Sequence, residues 1–272
     1  MNSFAALIID IKGSTQFSDD VRNKIQVDIN NSIDSLNEIF KKSIIKKVDF
    51  SAGDEVQGLF ECPAAAYMFF RLLELLLSPV EMRGGIGIGA WTTRIADKGT
   101  QAQDGPAYHL ARKSILDTHR MKTQRIRLSQ FDKENILPNI LMNASWRLLS
   151  LQSTKQRFIM QIIELLFPLV DMNLMTKNAQ GLLLDMIGQL IEKTNKSEKC
   201  FTSTCNGEIV NLTDIITDPE EPEKLVTIRG ASEMIASIFG YTRQNIDNQI
   251  RSGNILQIRC LDIGAIRVLK TI

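Results

Sequence analysis

The chain opens on an uninterrupted apolar run, "FAALII" at residues 4–9, which stops at Asp10. A short run of this kind, bounded by an acid and a Gly-Ser-Thr loop, predicts a fully buried strand. Ser18, Asp19 and Asp20 then supply N-cap chemistry. Val21, Ile25, Ile29, Ile33, Leu36 and Phe40 follow at helical spacing, so residues 19–42 are expected to form an amphipathic helix. In "VDFSAGDEVQGLF", residues 48–60, two apolar arms flank a Gly53-Asp54-Glu55 tip, which reads as strand, sharp turn, strand. Pro63 opens a helix, roughly 63–77, that is apolar on almost every side. Such a helix is buried by its own domain or by a second subunit. "RGGIGIGAW", residues 83–91, alternates glycine with Ile86, Ile88 and Ala90. Glycine weakens a strand unless another backbone or a ligand must come close. A further helix begins near Pro106.

From about residue 118 to 196 the pattern becomes helical, without strand signals. Leu148, Leu151, Phe158, Ile162, Leu165, Leu182, Met186 and Leu190 stand at core spacing, which suits a helical core or a dimer arm. "HRMKTQRIR", residues 119–127, is basic and fits a nucleic-acid contact or a solvated helix face equally well. Residues 197–224, with "DPEEPEK", read as a short two-strand or loop segment and a hinge. Residues 225–272 make a compact end piece.

Composition narrows the class of protein. A chain of 272 residues can bury a real core. A net charge of +1 excludes no partner, because local patches outweigh the sum. Cys62, Cys200, Cys205 and Cys260 are scattered, without a histidine at zinc-site spacing, and are expected to be reduced thiols of a cytoplasmic protein. "FAALIID" is too short for a secretory signal, and "FIMQIIELLFPLV" too short to span a bilayer. "RGGIGIGAW" is no phosphate loop: it lacks the Gly-Lys-Ser/Thr ending, and no helix opens directly after it. Arg83 there is a phosphate contact or a strand-end charge.

The chemistry concentrates at Asp10 and Asp54. Asp10 ends the first strand and Asp54 sits at the hairpin tip. If those strands pair side by side, both carboxylates reach one edge of the sheet. Two hard oxygen ligands suit Mg²⁺ or Mn²⁺, which bind through few carboxylates plus substrate phosphates. Lys12, Gly13, Ser14 and Thr15 follow directly, and their N–H groups and hydroxyls, before a helix N-terminus, can hold phosphate oxygens. Taken singly, an acid after a strand and Gly-Asp in a turn are among the commonest loop residues.

Four stretches in order, "LIIDIKGST", "AGDEVQGLF", "RGGIGIGAW" and "DGPAYHLARKSI", resemble the successive motifs of class III nucleotide cyclases over residues 4–117. With "GDEVQG" and its C-terminal segment, the chain looks closer still to the SatD family of bacterial proteins. The cyclase resemblance implies an α/β, ferredoxin-like palm with sites shared across a homodimer interface. It makes Asp10 and Asp54 metal ligands and the Ile11 carbonyl a third, with Gly53 and Glu55 at the nucleotide. Glu55 either touches the metal or faces solvent. The chain departs from the cyclase pattern at Phe50, where a base-reading lysine is usual, and at His109, where an asparagine is usual. The arginine that steadies transition-state charge falls on Lys113, with Arg112 one place earlier. A lysine brings charge without the planar fork of donors. His109 and Lys113 share a helix face, which serves phosphate chemistry or simple solubility.

"ASEMIASIFGYTRQNIDNQIRSGNI", residues 231–255, resembles a helix-turn-helix with Gly240 at the turn. Ile235, Ala236, Phe239 and Ile246 are expected to face inward and Thr242 to cap the second helix. Arg243, Gln244, Asn245 and Asn248 would face outward, the kind of side chain that reads base edges or phosphates. From Lys224 onward seven lysines and arginines stand against three acids, a net of +4. A plain helical hairpin for protein contacts is the alternative.

The expected organisation is a cyclase-like palm over 1–117, a helical connector or dimerisation segment over 118–196, and a DNA-binding segment over 197–272. Three functions remain open: a nucleoside triphosphate-binding, Mg-dependent regulator coupled to DNA, an active nucleotidyl cyclase or oligonucleotide synthase, and a non-catalytic dimeric interaction protein.

Overall fold

A computed structural model describes residues 3–121, 123–193, 210–211, 228 and 230–272. Cys200, Cys205, Lys224, Arg229 and the hinge reading at 218–224 lie outside the described residues. The chain divides into two compact units, one of residues 1–143 and 264–272, the other of residues 144–263.

The first unit is built on the strands β1 (Phe4–Ile11), β2 (Ile44–Ala52), β3 (Glu55–Phe60), β4 (Met82–Gly89) and β5 (Ile126–Gln130). Its helices are α1 (Asp19–Ile39), α2 (Pro63–Leu76) and α3 (Pro106–Arg120), with the first half of α4 (Ile136–Ser150). The sheet order is β2-β3-β1-β4-β5. The first four strands are antiparallel, and β5 joins β4 in parallel. Strand, helix, strand, strand, helix, strand in the order 2-3-1-4 is the ferredoxin-like arrangement. The fold is therefore α/β with a palm-type sheet, extended by α3 and β5.

β1 is central and has no exposed face, as its apolar run requires: Ala5 to Ile9 are all buried. Ala6 and Ile8 pack with Leu59 against Ala107, Tyr108, Ala111 and Ile115 of α3. The glycines of β4 make that packing possible. A Cβ on Gly87 would stand 2.1 Å from the Ala107 carbonyl oxygen, and one on Gly85 would stand 2.4 Å from that of Ala111. The close approach inferred from "GGIGIG" is thus the seating of α3. On the flank of the hairpin, the Lys46 ammonium donates to the carbonyls of Ile95, Ala96 and Lys98 at 3.2, 2.8 and 3.2 Å. Gln57 donates to the Thr100 carbonyl at 2.9 Å. These bonds tie the segment between β4 and α3 to the β2–β3 hairpin.

β5 falls in the stretch read as free of strands. It is a short edge strand in which buried Ile126 and Leu128 alternate with Arg127 and Ser129, an apolar signal of only two residues at the end of a basic run. Its outer backbone groups are covered by α4. The Asn139 side chain accepts from Leu128 N–H at 2.8 Å and donates to the Leu128 carbonyl at 3.0 Å. Asn143 accepts from Arg125 N–H at 2.7 Å and donates to the Ile126 carbonyl at 2.8 Å.

The second unit is mainly helical among the described residues. It holds the rest of α4, α5 (Thr154–Leu166), α6 (Ala179–Lys193), α7 (Ala231–Phe239), α8 (Arg243–Ser252) and the first half of α9 (Ile255–Lys270). A two-residue parallel pair joins β6 (Leu169–Val170) to β7 (Val210–Asn211). A capping box of Ser153 and Gln156 starts α5. Ile162, Leu165 and Met186 are buried as expected, whereas Leu151, in the turn after α4, is 62% exposed. The Leu190 side chain lies outside the described residues. Arg259 is 0% exposed, with its guanidinium 2.5 Å from Glu164 and 2.8 Å from the Phe167 carbonyl. No described helix is long and apolar enough to cross a membrane.

Candidate functional site

Side chains alternate along β1, so Asp10 emerges on the face that carries Ala6 and Ile8 toward α3. Arg83 is its cross-strand partner on β4, 4.0 Å from Asp10 Oδ2. His119, in the last turn of α3, places Nε2 3.0 Å from the same oxygen and Nδ1 3.3 Å from the Arg83 guanidinium. Both partners come from the β4 and α3 side of Asp10. The hairpin comes from the opposite neighbour of β1, because β3 pairs Val56 with Ile9. That register carries Gly53-Asp54-Glu55 to the Asp10 end of the sheet. Gly53 has φ +63°, which glycine adopts freely at a two-residue tip.

The electrostatics fit two acids drawn together. Burial pushes the Asp10 carboxyl above its ordinary range, and the Asp54 charge adds to that. His119 and Arg83 pull the other way, and Glu55 again raises it. Asp54 Oδ2 is buried and has no hydrogen-bond partner. An acceptor stranded in this way is costly unless something neutralises it. Among the described residues no group of three or more His, Cys, Asp or Glu converges on a metal position. The donor set is instead a pair of hard carboxylates, which fits Mg²⁺ or Mn²⁺ ions that take their remaining ligands from water and phosphate.

Glu55 does not face solvent: its carboxylate is 14% exposed. Arg112 grips it with both guanidinium nitrogens, Nη2 at 2.7 Å from Oε1 and Nη1 on Oε2. Ser51 Oγ donates to Oε1 at 2.7 Å. Glu55 raises the Arg112 pKa further, with a smaller contribution from Asp10. Lys12 turns to Glu81, at 2.6 Å, and Glu81 also takes Arg125 at 3.0 Å. Burial alone would push Glu81 up, but these two cations leave it below its ordinary range. Gly13, at φ +75°, precedes a 3₁₀ turn over Ser14–Gln16. The Ser14 carbonyl accepts from Arg22 at 3.3 Å. The Thr15 side chain lies outside the described residues.

Of the three helix residues singled out, the structure brings Arg112 to the acids. His109 Nε2 lies 2.8 Å from Asp104 Oδ1, an oxygen that also accepts from Gly105 N–H at 2.7 Å. Lys113 lines a separate cavity of about 570 Å³ with Arg127, Lys133 and Asn139. His119 and Glu81 were not anticipated, and Arg83 was left open. A signal for His119 existed: Tyr108, Arg112, Ile115 and His119 recur at helical spacing, and His119 is one of only two histidines.

In the second unit, α7 and α8 meet at Gly240, φ +67°. Ile235, Ala236, Phe239 and Ile246 are buried, and Phe239 stacks edge-on with Phe158 of α5 at 5.0 Å. Thr242 Oγ1 accepts from Asn245 N–H at 3.2 Å. Arg243, Gln244 and Asn248 are exposed, whereas Asn245 takes a hydrogen bond from Lys155 at 2.8 Å. Buried Arg259 belongs to the core rather than to a basic surface.

Among solved structures, one described as a bacterial light-regulated adenylyl cyclase matches over 47% of this chain and 75% of its own. The identity is 14% and the TM-score 0.33. No curated protein matches. The SatD family model covers residues 4–172, more than half of the chain, and the protein accordingly belongs to the SatD family.

Proposed function

We propose that the first unit binds a nucleoside triphosphate with a divalent cation, and that the second unit engages DNA through α7 and α8. In this reading the protein is a nucleotide-responsive regulator. The stranded, buried Asp54 Oδ2 beside Asp10 is the observation that carries it. Asp10 and Asp54 would hold Mg²⁺ or Mn²⁺, with the Ile11 carbonyl as a third donor. The bound ion supplies charge neutralisation for phosphate oxygens. Gly13 and Ser14 offer backbone groups to those oxygens, and Arg112 offers the charged fork. His119 and Arg83 both approach Asp10 Oδ2 and would fix the direction of the carboxylate.

Regulation is preferred to cyclisation because His109 is held by the Asp104 loop and Lys113 lines a different cavity. Incubation with four nucleoside triphosphates and Mn²⁺, followed by mass analysis, separates the two: unchanged triphosphates are expected.

Calorimetric titration of ATP and GTP with Mg²⁺ tests the site. Saturable binding is expected for one of them, weakened at least tenfold in Asp54→Ala. Absence of binding, or equal affinity in the variant, overturns the reading.

A further inference from the structure

We infer that Glu55 stands in for phosphate on Arg112: its carboxylate holds the guanidinium fork that a polyphosphate would take, so cation and polyphosphate each favour binding of the other. This inference rests on the cation and nucleotide reading of the same site.

The argument is one of matched geometry and of charge. Arg112 meets Glu55 through two parallel N–H···O contacts, the arrangement by which arginine binds carboxylate and phosphate alike. Both claimants need the same fork, so they compete for it. Ser51 adds a third bond that keeps Glu55 in place. Glu55 directly precedes Val56, whose register partner is Ile9, so the strand pairing carries it to the Asp10 end of β1. Asp10, Asp54 and Glu55 thus share the end where β1 and the hairpin finish without converging on one point, with Arg112 on Glu55 and His119 and Arg83 on Asp10. Lys12 is committed to Glu81 and adds no charge to the group.

A polyphosphate arriving alone would strip Glu55 of its cation and place new negative charge beside Asp10 and Asp54. A cation arriving alone would meet two of the three acids, the third being held by Arg112. Arriving together, the polyphosphate would take Arg112, and the released Glu55 carboxylate would add its charge to that which Asp10 and Asp54 offer the cation. Each ligand then lowers the cost of the other, which is reciprocal coupling between two sites.

Glu55→Gln tests this with inorganic tripolyphosphate as the probe. The amide keeps the size of the side chain and removes the charge that ties Arg112. Isothermal titration in chelator-treated buffer is expected to show tripolyphosphate binding to Glu55→Gln at least tenfold tighter than to the wild type. Addition of Mg²⁺ should strengthen wild-type binding at least tenfold and that of the variant less. Adding Arg112→Met to Glu55→Gln should abolish the metal-free gain, which assigns it to the fork. Glu55→Ala serves as a second charge-removing variant and should behave as Glu55→Gln does. If the wild type binds ATP with Mg²⁺ and neither Glu55 variant gains metal-free binding, the exchange is wrong and the site reading stands. A wild type indifferent to ATP and GTP with Mg²⁺ overturns both.

Discussion

At Gly87 a single methyl group would collide with backbone on α3, 2.1 Å from the Ala107 carbonyl oxygen and 2.2 Å from the Ala111 nitrogen. Neither atom can rotate away as a side chain would. Gly87→Ala is therefore expected to cost about 3 kcal/mol, measured by urea unfolding. Asp10 carries the opposite kind of cost. Its folded carboxyl keeps a proton to higher pH than the unfolded chain does, so just above its ordinary value of 3.8 the folded state binds more protons. Stability then falls as pH rises through that window and stays lower above it. Asp10→Asn should raise the melting temperature at pH 7 in chelator-treated buffer by about 2 °C and flatten this dependence. A thermal scan at several pH values checks it. That Asp10 stands at a strand end and Asp54 at a hairpin tip was legible in the sequence, because an apolar run and a turn glycine mark the two places. Arg112, the partner of Glu55, was named from the sequence as well, whereas helical spacing could put His119 on the Arg112 face but not say that α3, returning across the sheet, would bring it to Asp10.

Elements repeat that division between local and distant causes. β1, α1 and the hairpin were readable because apolar spacing and turn residues sit side by side in the chain. β5 was hidden because its strand character comes from β4 on one edge and from two asparagines of α4 on the other. Those asparagines take the place of a neighbouring strand, which protects an edge that would otherwise pair with another chain. Asn139→Leu should cost about 2 kcal/mol by leaving the Leu128 N–H and carbonyl without partners. Light scattering after mild heating should also rise. In the second unit, the pair of helices α7 and α8 was legible from its small and apolar residues and its cap. Thr242→Ala should destabilise α8 by about 1 kcal/mol, read from a thermal melt.

For the molecule as a whole, the charge assigned from sequence needs redistribution. Arg259, counted among the basic residues of the C-terminal segment, is buried against Glu164, itself 1% exposed. Removing the guanidinium takes away a buried opposite charge from Glu164, so Arg259→Met should destabilise the protein by about 3 kcal/mol. Adding Glu164→Leu should recover part of the loss, and cation binding by Asp10 and Asp54 should be unchanged in both variants. Calorimetric unfolding and a Mg²⁺ titration report the two quantities separately.

The bare strand under α3 has one more consequence. A rod bolted to its track at atomic distance does not slide, so Tyr108, Arg112 and His119 keep their spacing along the sheet whatever ligand arrives. Adaptation to a new ligand would come from exchanging those side chains while the rail itself stayed put. Relatives with different chemistry are then expected to share the glycines and to differ in the three groups mounted above them.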